Sequence, residues 1–147
     1  MLAVYEFELF EDEGLVLALP FDMEGGTQGR DVREASEMAA DWLKGDLEHR
    51  MMVGEPLPEA TFGNDPRQGG RIAIVAVDAD LDSVETVAAS DAAEMLGVSR
   101  ARVSQMLSSG LLEGYRKGRA TFVTLNSVKA RLAERPKAGR PRKTATA

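Results

Sequence analysis

The first clear pattern in the chain is an alternation. Over residues 3–10 apolar and polar side chains roughly take turns, with Tyr5, Phe7 and Leu9 on one side and Glu6 and Glu8 on the other, the period of a half-buried strand. EDEG at 11–14 follows as a turn in which Gly14 can supply a positive φ. Residues 15–19, LVLAL, are apolar on both faces and predict a second, covered strand that completes a hairpin. A glycine-rich link, GGTQG at 25–29, then gives way to a new period. Ala35, Met38, Ala39, Trp42, Leu43 and Leu47 recur at spacings of three and four, an amphipathic helix opened by a capping box of Asp31 and Glu34. It fades by Met52, before Gly54, Pro56 and Pro58 force an extended exit. GNDPRQGG at 63–70 reads as a loop and RIAIVAV at 71–77 as a further strand. The first half is thus a small β-sheet with one long helix against it.

From residue 89 the pattern is that of short helices. Ser90 caps one that carries Ala93 and Leu96 inward, and Gly97 with Val98 turns the chain out of it. Ser99 caps a second, with Val103, Met106 and Leu107 as its inward stripe, and Gly110 stops it. Two short helices joined by such a turn predict a helix-turn-helix, whose second helix enters the major groove of DNA. Ala101, Ser104, Gln105 and Ser108 point away from the stripe, flanked by Arg100 and Arg102. Small residues permit close approach, glutamine can pair with an adenine edge and arginine with guanine. Ser99, Arg100, Ala101, Arg102, Ser104 and Gln105 are therefore the candidate DNA-binding set on this helix. The alternative is a helical pair used only for packing.

LLEGYRKGRATFVT at 111–124 predicts a hairpin, a wing whose tip holds Arg116, Lys117 and Arg119 around Gly118 and grips phosphates without reading sequence. Asn126 then caps a last helix with Val128 and Leu132 inward. The remainder, RPKAGRPRKTATA, is too polar and proline-rich to fold alone. Its GRPRK resembles the core of an AT-hook, with Ala138 where that motif's first arginine would stand. Arg140 and Arg142 join the candidate DNA contacts, either as a minor-groove arm or as part of a plain basic tail.

Charge separates the same two halves. Among 147 residues the formal net charge is -6, but residues 1–87 hold 20 Asp and Glu against 6 Lys and Arg, a balance of -14. Residues 88–147 hold 12 basic against 4 acidic side chains, a balance of +8. An acidic half repels phosphate and a basic half attracts it, so the halves suit different partners. The domains are drawn accordingly: 1–82, a linker at 83–88, a winged helix-turn-helix at 89–134 and a basic tail at 135–147.

The absence of cysteine excludes disulfides and thiolate metal sites. The longest apolar runs, 15–21 and 72–77, fall short of the roughly 20 residues of a membrane helix. The opening MLAVYEFELFEDEG has no basic segment of the secretory kind. A soluble cytoplasmic protein is expected. His49, the single histidine, has no second histidine or cysteine to partner it, and the consecutive acids Glu11, Asp12 and Glu13 diverge around a turn. GGTQG lacks the lysine and the glycine spacing of a phosphate loop. No catalytic site, metal or cofactor is expected.

An ordered series of motifs gives the first half a family likeness. The opening strand and acidic turn, Leu19-Pro20, TQG at 27–29 with the helix from Asp31, GEPLPEAT at 54–61 and IAIVAVDADLD at 72–82 together resemble a HicB-type antitoxin. Where that family commonly shows FPDLPGCFTQG, this chain has LPFDMEGGTQG, so its central loop departs from the pattern. Residues 88–134 separately resemble the excisionase-like and MerR-like winged helix-turn-helix. The resemblance implies an α+β architecture: a partial ribonuclease-H-like domain without catalysis, joined to a winged helix-turn-helix. It further implies a small basic HicA-type toxin that cleaves mRNA as one partner, and operator DNA, met as a homodimer or higher homo-oligomer, as the other. On charge alone, Glu11, Asp12, Glu13, Asp22 and Glu24 are candidate toxin contacts. A stand-alone transcription regulator with a ligand-sensing or oligomerising first domain is the alternative.

Overall fold

In the computed structural model, which describes residues 1–134, the opening alternation runs longer than its pattern suggests. Strand β1 spans Leu2–Asp12 and pairs antiparallel with β2, Leu15–Pro20, through a turn of two residues, Glu13 and Gly14. Both turn residues have positive φ, 52° and 82°, as a two-residue hairpin matched to the strands' twist requires. The four-residue turn expected from EDEG is therefore corrected to two, and Glu11 and Asp12 continue the ladder opposite Val16 and Leu15. The glycine-rich link is also corrected. Thr27–Gly29 forms a short edge strand, β3, on β2. Gly29 makes this possible, because a Cβ there would collide with the backbone nitrogen of Ala35 at the start of the helix.

Helix α1, Val32–Val53, lies on one face of a sheet ordered β3-β2-β1-β4, where β4 is Arg71–Asp78. Its inward row runs at intervals of four, Ala35, Ala39, Leu43 and Leu47, against Tyr5, Phe7, Leu9, Val16, Ala18, Val75 and Val77 of the sheet. Trp42 packs edge-on to Phe7. Met38, expected inward, lies on the flank of that row and is 41% exposed. Asp31 caps the helix by accepting from the Glu34 N–H at 2.8 Å. The return bond of the box is displaced by one residue, since Glu34 accepts from the backbone N–H of Arg30 and grips its guanidinium as well. Gly54 ends the helix in the left-handed conformation.

The opposite face of β1 holds the main departure from the alternation. Glu6 and Glu8, expected on a polar outer face, are 5% and 3% exposed. The loop at 61–70 crosses over them and turns its backbone donors inward. Gly63 and Asn64 donate to Glu6 at 3.0 Å each, and Arg67, Gln68 and Gly70 donate to Glu8 at 2.8–2.9 Å. Gly70 must be glycine for this approach, as a Cβ would strike the Leu9 carbonyl. The loop lacks a ladder of its own, and the two carboxylates satisfy the N–H groups that burial would otherwise strand.

The fold divides the chain into a first unit, Met1–Ser83, and a second from Val84 onward. In the second, β5 (Thr86–Ala88), β7 (Ala120–Thr124) and β6 (Gly114–Lys117) form a sheet in the order β5-β7-β6. Residues 86–88, placed by the sequence in a linker, are thus part of a sheet. Helices α2 (Ala89–Leu96), α3 (Arg100–Ser109) and α4 (Leu125–Glu134) enclose a core of Ala92, Ala93, Leu96, Val103, Met106, Leu112, Val123 and Val128. Two expected caps are corrected. The extended Ala88 precedes α2 with no side-chain cap, because β5 runs straight into the helix and leaves Ser90 inside it. Asn126 lies inside the first turn of α4, where the buried Thr124 hydroxyl accepts from Ser127 N–H instead. Leu132, expected inward, is exposed one turn past the core. The described chain is therefore a mixed α+β protein with two small antiparallel sheets and four helices.

Candidate nucleic-acid interface

The geometry of α2 and α3 follows from two glycines and one serine. Gly97 takes a left-handed φ of 68°, and Val98 N–H closes back on the Ala93 carbonyl at 2.9 Å, which turns the chain sharply out of α2. Ser99 then caps α3, its Oγ accepting from Arg102 N–H at 3.0 Å. That lone pair is committed to the helix, so any contact from Ser99 to a nucleic acid must use the hydroxyl hydrogen or the other lone pair. Gly110 ends the helix at φ 82°.

Anchored by Val103 and Met106, α3 presents its other side to solvent. Arg100, Ala101, Arg102, Ser104, Gln105 and Ser108 are all exposed. Arg102 and Gln105 sit one turn apart, the guanidinium donating to Oε1 at 3.4 Å. Ten residues make a rod of about 15 Å, a length that a major groove accommodates.

The hairpin stands beside this face. β6 and β7 are joined by Gly118 and Arg119, with Lys117 opposite Ala120 and positive φ at Gly118 alone, the type II′ arrangement. Arg116, Lys117 and Arg119 are exposed at its tip. A groove of about 350 Å³ separates hairpin from helix, lined by Ser104, Leu107 and Ser108 on one side and Gly114, Tyr115, Arg116 and Thr121 on the other. Of the predicted set, Ser104 and Arg116 border this one groove; Arg100 and Arg102 do not line it. Ser108, Tyr115 and Thr121 were not among the predicted site residues. The sequence already sets Ser108 on the same outward face as Ser104 without counting it as a contact, and Thr121 is the ladder partner of Arg116. Arg140 and Arg142, with the GRPRK stretch, lie outside the described residues.

The acidic candidates of the first unit fall into two groups. Glu11, Asp12 and Glu13 are exposed at the hairpin end of β1 and β2. Asp22 and Glu24 follow the other end of β2, whose six residues span about 20 Å. Asp22 accepts from the backbone N–H of Thr61 at 2.9 Å and from its hydroxyl at 2.6 Å, so it holds the covering loop in place. Glu24 is exposed. The sequence grouped five acids by charge, and the fold gives one of them a structural task.

The buried pair is electrostatically distinct. Backbone donation from Asn64 and Gly63 holds the Glu6 carboxyl below the ordinary carboxylate range. For Glu8 desolvation pulls upward, yet donation from Gly70, Arg67 and Gln68 outweighs it and the net direction is down. Each carboxylate accepts three hydrogen bonds from the loop and ties it to the sheet. Among the described residues no helix is long and apolar enough to cross a membrane.

Residues 89–136 match the family model of a helix-turn-helix domain, a span that holds α2, α3 and the hairpin beside the groove. The chain therefore carries a domain of a DNA-binding class. A chain of a toxin-antitoxin complex from Streptococcus pneumoniae superposes with a TM-score of 0.48, at 18% identity, over 76% of this chain and 97% of its own. A likeness that loose carries no argument about a partner. No curated protein matches the chain.

Proposed function

We propose that the protein is a HicB-type antitoxin that also represses its own operon. The acidic unit sequesters a small, basic, mRNA-cleaving protein of the HicA type, and the winged helix-turn-helix holds operator DNA. The observation that carries this reading is the partition of charge, -14 over residues 1–87 and +8 over 88–147, with the helix-turn-helix domain in the basic part. Opposite potentials steer each half to an oppositely charged partner. A toxin that binds RNA is basic, and operator DNA is acidic. The ordered motifs of residues 1–82 support the HicB-type reading, with a partial ribonuclease-H-like fold for the sheet-and-helix unit.

On this reading Gln105 and Arg102 read base edges from α3 while Arg116, Lys117 and Arg119 grip phosphates from the hairpin. Arg100, Ala101, Ser99 and Ser104 line the approach. Glu11, Asp12, Glu13 and Glu24 meet the toxin, and Asp22 acts indirectly by fixing the loop. Neither unit performs a reaction, and the protein acts in the cytoplasm as a homodimer.

Co-expression of the tagged full chain with the product of the adjacent reading frame tests the proposal. Co-purification of a small basic protein, with growth arrest when that protein is expressed alone, is the expected result. No captured protein, with operator binding intact, would replace the antitoxin by a stand-alone regulator.

A further inference from the structure

The two edges of the first sheet are built differently. β3 is three residues long, too short to template another strand. β4 at the other edge is eight residues, RIAIVAVD, and among the described residues β1 is its one ladder partner. Between its ends it has no charge and no proline, the usual devices that protect an exposed edge. Its outer face is bare as well. The loop that covers Glu6 and Glu8 stops short of Ile74, the ladder partner of Glu6, which is 66% exposed. Leu2, beyond it on β1, is 72% exposed, and Ala76 is exposed between them.

From these features we infer that β4 is a self-association edge, and that two copies of the chain pair their β4 strands antiparallel about a two-fold axis at Ile74. The occupant follows from the strand's own polarity. β4 begins at Arg71 and ends at Asp78, both exposed, with Asp80 just beyond. Parallel pairing would set like charge against like. Antiparallel pairing sets each basic end alongside the other's acidic end, where Asp78 already holds the Met1 ammonium at 2.9 Å. Register is fixed by the faces. A two-fold axis normal to the sheet keeps outer residues opposite outer residues, since a one-residue slip would exchange the faces. Centred on Ile74, the ladder opposes Ile74 to Ile74, Ile72 to Ala76 and Ala73 to Val75, all apolar, and sets each Arg71 opposite Val77, next to the other strand's Asp78. Centred one residue later it would oppose Ile72 to Asp78. The result is an eight-stranded sheet whose outer apolar strip is continuous across the axis.

The inference does not depend on a toxin or an operator, so it stands or falls separately from the function proposed above. Because the chain has no cysteine, single cysteines report the register directly. Opposed strand residues bring Cα atoms about 4.5–5.5 Å apart, within disulfide reach. Full-length Ile74→Cys under mild oxidation should become mostly covalent dimer, while Gln28→Cys on the other edge and Ala76→Cys should stay mostly monomeric on a denaturing gel. Ile74→Lys, a change at an exposed side chain, should lose one association step and halve the mass by sedimentation, with the circular dichroism spectrum unchanged. Equal crosslinking at positions 28, 74 and 76, none at 74, or an unchanged mass for folded Ile74→Lys would each overturn it. A chain that is monomeric alone and gains mass only when a second protein is added would assign the edge to that partner and overturn it too.

Discussion

The two units treat polar groups in opposite ways. In the first, carboxylates are drawn into the fold: Glu6 and Glu8 hold a loop, Asp22 anchors its start, and Glu34 closes the helix entrance. In the second, the buried residues are almost all apolar and the cations of α3 and the hairpin tip stay at the surface. The contrast teaches that formal charge is a poor guide to available charge. The acidic unit presents a smaller negative surface than its composition suggests, and the basic unit leaves nearly all of its described positive charge at the surface.

The sharpest way to break the comparison is to remove an internal acid. Glu8→Ala leaves three loop N–H groups without their acceptor and should cost about 2–4 kcal/mol of first-unit stability, read by thermal or urea unfolding. Operator affinity of the folded variant should be unchanged. A loss on both counts would show that the units do not act separately. Next in size, Arg102→Ala or Gln105→Ala should weaken the cognate site by about 1–3 kcal/mol and narrow the gap to non-cognate sequences, in competition titrations. Removing a hairpin cation, at Arg116 or Arg119, should weaken all sequences alike. It should lower the slope of log affinity against log salt by about 0.9 for each phosphate that is no longer neutralised.

The smallest effect is a pH dependence confined to the first unit. Because folding depresses the carboxyls of Glu6 and Glu8, their stabilisation is complete above the unfolded value of about 4.3 and is lost as pH falls through the lower folded values. Acid titration should therefore release the loop at 61–70 below about pH 4. Glu6→Gln with Glu8→Gln should flatten that transition. Loop release near neutral pH would contradict the assignment.

Much of the helix-turn-helix was legible because its determinants are local. Gly97, Ser99 and Gly110 each act within a few residues, and the Val103 and Met106 stripe follows from helical period alone. Missed features were those decided by distant parts of the chain. Nothing near Glu6 or Glu8 announces that a loop almost sixty residues later will supply their donors. A glycine-rich TQG reads as a link until β2 offers it a ladder. Ser90 and Asn126 have the chemistry of caps, but in each case a strand runs directly into the helix, so the strand's last residue, Ala88 or Thr124, sets the start. Asp22 shows the same limit at the candidate site: charge placed it among surface contacts, and a hydroxyl 39 residues away claimed it.

The central claim is that the two units serve two partners through separate surfaces. It is tested most directly by titrating the basic product of the adjacent reading frame into the wild-type chain and into an Arg102→Ala, Arg116→Ala, Arg119→Ala variant, by calorimetry, alongside operator titrations of both. Equal affinity for the protein in both chains, with operator binding abolished only in the variant, is the predicted result. Loss of both activities together, or no heat with the wild-type chain, would contradict it.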